Sequence, residues 1–185
     1  MGFQIEDGKG TGNQAEVKSN KLLVSGVFST QEHYANHNQG KAFNLLFNAT
    51  PTGAGDCFLY MKNEDPEYAL SIEGLWLKME ADDFIDVKIN DLGTPVDGND
   101  ITPVNLNSIS ASQAIGTFQS GNDITGLSGG KNAHKLFHVN TKESIYRNFN
   151  MDIVLGNNGT LSLYAGAGTV AIYGTLVFNY HGTNN

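Results

Sequence analysis

Two pairs of histidines, each with three residues between them, are the most direct candidates for a metal site. They are His33 with His37, and His134 with His138. On a helix each pair would present two ligands to one ion, whereas on a strand the two residues would stand about 13 Å apart, too far to share it. His134 and His138 lie in a strand-like sequence, and the first pair lies in a polar loop without a third ligand. We expect no metal at either pair.

Carboxylates cluster in three polar segments that are candidates for calcium-binding loops: residues 64–67 (EDPE), 82–83 (DD) and 97–100 (DGND). Calcium takes oxygen ligands from loops, but none of these segments has the spacing of an EF-hand. A glycosidase needs two carboxylates placed across a cleft, and the sequence does not place them. We therefore expect three solvated turns.

Two further motifs fall short of a catalytic signature. The segment 129–131 (GGK) is like the end of a phosphate-binding loop, but Thr125 stands where the first glycine belongs and Asn132 where the metal-binding hydroxyl belongs. Ser162 lacks the G-x-S-x-G context of a nucleophile elbow. The sequence predicts no catalytic residue and no cofactor, so we expect a protein that is not an enzyme.

The overall composition excludes several classes of partner. The formal net charge is -8 and Arg147 is the one arginine, so no basic footprint for nucleic acid is present. No apolar stretch approaches the roughly 18 residues that a membrane span needs. The single cysteine, Cys57, cannot form an internal disulfide and lies in an apolar run, which predicts a buried, unreactive thiol. We expect neither a nucleic-acid partner nor a membrane partner.

The clearest structural signal is the alternation of apolar and polar residues between positions 151 and 180. Residues 151–155, 161–164 and 170–180 read as strands, and the segment 157–159 (NNG) predicts a tight hairpin turn between the first two. In the last strand the two-residue period places one set of residues on the core face: Val170, Ile172, Leu176, Phe178 and Tyr180.

The same alternation predicts strands over residues 22–28, 42–47, 57–62, 68–79, 84–89, 136–139 and 144–146. Gly74 changes the alternation within 68–79, which predicts a bulge there. Residues 32–40 read as a polar turn. Between residues 90 and 130 the pattern is weakest, and we predict an edge strand at 101–106, a helical turn at 110–115 and a short strand at 117–119.

These elements predict an all-β protein of about eight to ten strands, mostly antiparallel because the links are too short for crossover helices. The expected fold is an antiparallel β-sandwich, jelly-roll-like in topology. Residues 1–20 contain alternate glycines and predict an extended glycine-rich N-terminal arm. Residues 21–185 then form a single sandwich domain.

The amino-terminal third also carries a resemblance. Residues 3–12 (FQIEDGKGTG) and 15–22 (AEVKSNKL) resemble the start of many tailed-bacteriophage virion proteins, and the similarity continues through His33 to 40–44 (GKAFN) and 60–65 (YMKNED). The resemblance implies a structural component of a phage particle, either a capsid decoration (cement) protein or a base for head or tail fibres.

As a cement protein, the chain is expected to bind the outside of the major capsid protein, or other virion proteins, through its N-terminal arm. It would be made in the host cytoplasm, lie on the capsid surface and form a homo-oligomer, with a trimer favoured. The residues expected at this interface are Phe3, Ile5, Gly8, Gly10, Gly12 and Val17.

A carbohydrate-binding sandwich used in host attachment is the alternative from a different class. Its binding site would use the loops between residues 90 and 130 together with tyrosines on the outer faces of the strands, since an aromatic ring can stack on a sugar or pack between subunits. These tyrosines are Tyr60, Tyr146, Tyr164 and Tyr173.

Overall fold

A computed structural model describes residues 5–6, 14–18, 21–23, 34–139, 141 and 143–182. The chain divides into two compact units, residues 1–30 and residues 31–185. This division falls ten residues beyond the predicted end of the arm at residue 20.

The described part of the first unit is a three-stranded antiparallel sheet. Its strands are β1 (Ile5–Glu6), β2 (Gln14–Lys18) and β3 (Lys21–Leu23), in the order β1-β2-β3. Ile5 pairs with Ala15, and Val17 pairs with Leu22. The glycines of the predicted arm lie outside the described residues, so the glycine-rich arm stays a prediction.

The first described element of the second unit is a short π-helix, Ala35–Gln39, which ends at Gly40 in the left-handed conformation (φ 60°). The predicted polar turn over 32–40 was therefore wrong for this segment. The remaining elements are strands: β4 (Ala42–Ala49), β5 (Cys57–Asn63), β6 (Tyr68–Met79), β7 (Asp83–Ile89), β8 (Leu92–Val96), β9 (Asn99–Asp100), β10 (Val104–Asn105), β11 (Gly116–Ser128), β12 (Lys131–His138), β13 (Ile145–Leu155), β14 (Thr160–Ala165) and β15 (Ile172–Gly182).

These strands form two antiparallel sheets that pack face to face. The five-stranded sheet has the order β10-β4-β15-β6-β13, and the seven-stranded sheet has the order β12-β7-β14-β5-β11-β8, with β9 also paired to β11. One apolar core contains buried residues from both sheets. The expected all-β sandwich is confirmed.

The strand pairing is nested. Strand β7 pairs with β12, β6 with β13, β5 with β14 and β4 with β15, so that the chain runs out along four strands and returns along their partners. Two further pairs, β14 with β7 and β15 with β6, join these hairpin-like pairs into the two sheets. Consecutive strands therefore alternate between the two sheets from β4 to β7 and again from β12 to β15.

The core follows the two-residue period of the strands. Ile172, Leu176 and Phe178 on β15 are all fully buried, as predicted from alternation. The Phe178 ring is the centre of an aromatic cluster, with ring centroids 5.5 Å from Phe43 and 5.8 Å from Phe118. Because Phe118 lies on β11 and Phe43 on β4, this cluster joins the two sheets.

The predicted bulge in β6 is confirmed. Along the pairing with β15, Val177 lies opposite Gly74 but Phe178 lies opposite Ile72, so one residue of β6 has no partner. Such an extra residue reverses the side to which the following side chains point. Accordingly, Leu75 is buried while Trp76 is half-exposed.

The predicted hairpin at residues 157–159 was wrong. Asn158 does have a positive φ of 64°, as such a turn requires. However, β13 pairs with β6 in one sheet, whereas β14 pairs with β5 and β7 in the other. The turn therefore carries the chain from one sheet to the other.

The segment between residues 90 and 130 is more regular than predicted. In place of one short strand, β11 runs for thirteen residues and pairs with β5, β8 and β9. The predicted edge strand is present as the two residues of β10 at the edge of the five-stranded sheet. The predicted helical turn at 110–115 was wrong, since this segment is an irregular loop.

Side chains in this loop satisfy backbone groups that a helix would use. The Asn105 amide donates to the carbonyl of Ser112 (2.8 Å), and the backbone N–H of Ser112 donates to the hydroxyl of Ser110 (3.1 Å). Such local bonds compete with helical hydrogen bonds. Across the described ranges, no helix is long and apolar enough to cross a membrane.

Candidate functional site

The outer face of the five-stranded sheet carries a row of large side chains that lie side by side across four strands. Leu46 pairs with Thr175, Thr175 with Trp76, and Trp76 with Tyr146. Residues in register on one face contact each other across a sheet. Leu46 is 59% exposed and Trp76 is 49% exposed, so this row forms an apolar strip open to solvent.

A second row runs beside the first. It places Asn48 opposite Tyr173 and Tyr173 opposite Lys78. Tyr173 is 44% exposed, and it lies two residues along β15 from Thr175, the residue opposite Trp76. Diagonal neighbours of this kind are within reach of aromatic side chains. The two rows together present a tryptophan and a tyrosine side by side.

Ring contacts and hydrogen bonds hold the aromatic side chains in place. The Trp76 and Tyr146 ring centroids are 4.9 Å apart at an interplanar angle of 36°. The Tyr146 hydroxyl donates to Glu73 (3.4 Å), and the Tyr173 hydroxyl donates to Glu80 (3.4 Å). Aromatic pairs of this kind contribute about 0.5–1.5 kcal/mol beyond their buried area. We call this surface, comprising both rows, the aromatic face.

A depression of about 540 Å³ lies over the aromatic face and reaches Asn48, Ile101 and Ser120. A second depression of about 590 Å³ is also lined by these three residues and extends towards β9 and the bulge of β11. The two depressions adjoin at these three residues, and we call them together the trough. The lining of the second depression is otherwise polar: Asp97, Asn99, Gly121, Asn122 and Asp123.

Several polar groups of the trough are fixed by hydrogen bonds to the backbone or to neighbouring side chains. The side-chain oxygen of Asn122 accepts from the backbone N–H of Thr50 (2.8 Å), and Asp97 accepts from the Thr125 hydroxyl (3.1 Å). The buried Ser120 hydroxyl lies within 3.2 Å of the Asn48 carbonyl. This end of the trough therefore presents oriented amide and carboxylate groups.

Two of the four tyrosines predicted on outer faces, Tyr146 and Tyr173, belong to this site. Tyr60 does not, because it is buried (1% exposed) beneath the outer end of β11, with Cys57 and Ile124. Tyr164 lies on the seven-stranded sheet, where its hydroxyl donates to the buried carboxylate of Asp91 (3.1 Å). The placement of Tyr60 on an outer, sugar-accessible surface was wrong, because Ile124 and Leu127 of β11 pack against it in a small apolar cluster.

The candidate metal ligands stay apart. His33 lies outside the described residues, and His134 and His138 lie on strand β12 as expected. His134 is exposed beside the Phe149 ring (5.3 Å between centroids), whereas His138 is fully buried. No group of three or more His, Cys, Asp or Glu side chains is gathered as cation ligands in the described part of the chain.

Cys57 is buried, as predicted. Its thiol lies 3.4 Å from the carbonyl of Leu59, and it is 1% exposed. Burial, reinforced by the negative charge of Asp91, raises the pKa of the Cys57 thiol to about 12. The thiolate is the reactive form of cysteine, so this side chain is poorly suited to nucleophilic chemistry.

Of the residues predicted at an interface, the structure describes Ile5 on β1 and Val17 on β2. Phe3, Gly8, Gly10 and Gly12 lie outside the described residues, so the predicted interface stays a prediction.

The sequence prediction did not include Trp76 in any site. The signal was present, because Trp76 stands between Leu75 and Leu77 on the far side of the bulge. Alternation then requires the tryptophan to face outwards when both leucines face the core. A tryptophan on a solvent-facing strand position is a candidate binding residue.

Comparisons with known proteins give no relative. The chain matches no protein-family model, and neither a curated protein nor a solved structure is significantly similar to it. Function must therefore be inferred from the residues of this chain.

Proposed function

We propose that the chain is a non-enzymatic structural protein of a virion, specifically a capsid decoration protein that binds the outside of the major capsid shell and stabilises it. The nested strand pairing carries this proposal. Four pairs, from β7–β12 to β4–β15, form an eight-stranded ribbon that is rolled into two sheets. We infer that the sandwich is a jelly roll, an architecture found in viral capsid domains and in lectins.

The N-terminal resemblance to tailed-phage virion proteins points in the same direction and makes residues 1–20 the proposed anchor. An extended segment gains affinity by adding to a sheet edge or lying in a groove, where its backbone hydrogen-bonds with the partner. The described part of this region is already in strand conformation in β1 and β2. Because β2 pairs with β1 on one side and with β3 on the other, the sheet edge that such docking would use within residues 1–20 is that of β1.

Repetition is what makes modest contacts sufficient for a decoration protein. In a symmetric shell every subunit makes the same contact, so a homo-oligomer, preferably a trimer, engages several copies of the capsid protein at once. A net charge of -8 suits this surface role and not the packing of nucleic acid. The partners are thus the major capsid protein and further copies of this chain.

Co-sedimentation with empty shells tests the proposal. The shells would be assembled from the major capsid protein encoded in the same genome, and we expect the full chain to sediment with them at a fixed ratio. Removing residues 2–20 should abolish binding, while Phe137→Ala, which changes an exposed aromatic of the second unit, should leave it intact.

Each outcome decides one part of the proposal. A full chain that stays in the supernatant contradicts the decoration role. A truncated chain that still binds contradicts the anchoring role of residues 1–20 alone. Density on the tail instead of the head, in a reconstruction of the whole particle, would favour a fibre base.

A further inference from the structure

We propose that the trough is a binding site for a neutral oligosaccharide. This inference does not depend on the decoration role, because it rests on the outer face of the five-stranded sheet and the adjoining loops. A sugar has apolar C–H faces and polar hydroxyl edges, and the trough has one end suited to each.

The aromatic end supplies stacking surfaces. Trp76 and Tyr173 are each about half exposed, at 49% and 44%. Their rings stand on neighbouring strands, and the Tyr173 hydroxyl is held towards Glu80. Rings that are fixed before binding lose little conformational freedom when a ligand stacks on them. The C–H face of a pyranose is an apolar surface that can cover such a ring.

The polar end supplies planar hydrogen-bonding groups. Asn48, Asn99 and Asn122 carry amides that both donate and accept, and Asp97 and Asp123 carry carboxylates that accept. Adjacent hydroxyls on a sugar need this mixture of donors and acceptors. An apolar peptide would leave these groups without partners and incur their desolvation cost. The polar lining therefore favours a polyhydroxylated ligand over a hydrophobic partner.

The charged side chains that line the trough restrict the class of ligand further. The trough contains two carboxylates, Asp97 and Asp123, against the single ammonium of Lys78. An anionic sugar, such as a sialylated or sulfated one, would be repelled at the acidic end.

The volumes of the two depressions, about 540 and 590 Å³, also lie in the range of about 300–1,000 Å³ that is typical of small-molecule sites.

A glycan array probed with the full chain tests the site. We expect binding to neutral hexose-based oligosaccharides and none to their sialylated or sulfated counterparts. The best glycan would then be titrated against variants. Trp76→Ala and Tyr173→Ala should each weaken binding about tenfold or more, because each removes a stacking surface comparable to a buried aromatic side chain.

Phe137→Ala is the matched control, since Phe137 is a 57%-exposed aromatic on β12 of the other sheet. It should bind with unchanged affinity. Asn48→Ala is the second test variant, and because its exposed side chain contributes nothing to the core, a loss of binding would not reflect unfolding. Absence of binding to every neutral glycan, a preference for anionic glycans, or unchanged affinity in the Trp76 and Tyr173 variants would each overturn the proposal.

Discussion

Replacing Phe178 with alanine should remove a large part of the stability of the sandwich. The ring is fully buried, and it contacts Phe43, Phe118 and Tyr180 at centroid distances of 5.5, 5.8 and 6.0 Å. Truncation of a buried phenylalanine costs about 3–5 kcal/mol. Because Phe178 makes three aromatic contacts, each worth about 0.5–1.5 kcal/mol, we expect Phe178→Ala to lower the unfolding free energy by an amount at the upper end of this range, about 4–5 kcal/mol.

Urea unfolding measures this loss. A domain of this size has a denaturant slope of about 2 kcal/mol per molar, so the midpoint should fall by about 2 M. Total stability is typically about 5–15 kcal/mol, so a loss of this size can unfold the alanine variant. Phe178→Leu, for which we expect a loss of about 1–2 kcal/mol, then replaces it in the measurement. Phe137→Ala should cost less than about 1 kcal/mol. A loss for Phe178→Ala below about 2 kcal/mol, or equal to that of Phe137→Ala, would refute the bridging role of this ring.

Three other measurements test separate parts of the structure. The pKa of the Cys57 thiol is 9.0 in the unfolded chain and about 12 in the folded one, so the unfolding free energy should fall as pH rises between these values. The fall should be less steep in Cys57→Ala, and equal slopes would contradict the burial of the thiol. Gly74→Ala places a Cβ 2.7 Å from a β13 carbonyl and should lower the unfolding free energy by about 1–3 kcal/mol. In the control Gly156→Ala the new Cβ meets nothing within 4 Å, so its urea midpoint should be nearly unchanged. Similar midpoints for the two variants would contradict the close approach at Gly74. Tyr164→Phe removes the hydroxyl that donates to the buried Asp91 carboxylate and should lower the unfolding free energy by about 1–3 kcal/mol in the same assay. An unchanged urea midpoint would mean that this hydrogen bond contributes nothing to stability.

The strands of the core could be predicted because each carries its own alternation. Ile85 and Val87 on β7 share the buried face as expected, and β6 begins and ends at the predicted residues, Tyr68 and Met79. On β7, and on β6 after the bulge, the core-facing residues are apolar and alternate with more exposed ones, so the sequence of each strand records its orientation locally. The sandwich class follows from such strands and the short links between them.

Strand partners could not be predicted, because pairing is decided by residues far apart in the chain. The segment 157–159 has the composition of a hairpin turn, yet its two flanking strands lie in different sheets. A turn residue with positive φ specifies a local change of direction and not the sheet that the next strand joins. The same limit hid β8 and the outer part of β11, since Ile124 and Leu127 of β11 pack against Cys57 and Tyr60, which lie far away in the chain.

The candidate site was only half predictable for a related reason. Tyr146 and Tyr173 were recognised as outer-face residues, but Asn48 and Asn122 come together with Tyr173 only through the pairing of β4 with β15 and the bulge of β11. These polar residues lie on strands that are far apart in the chain, so the alternation within each strand does not indicate which of them converge. Their convergence needs the folded topology.

The bulge in β6 links the fold to the proposed binding face. Up to Ile72 the even-numbered residues face the core, and after Gly74 the odd-numbered Leu75 and Leu77 do so. Without the extra residue, the alternation would carry Trp76 into the core and both leucines into solvent. The bulge therefore stabilises the sandwich by burying both leucines, and it leaves Trp76 on the solvent side, where its ring centroid lies 4.9 Å from that of Tyr146. The outward tryptophan is thus a consequence of the bulge that the proposed oligosaccharide site would use, and loss of glycan binding in Trp76→Ala with an unchanged urea midpoint is the result that would connect the two.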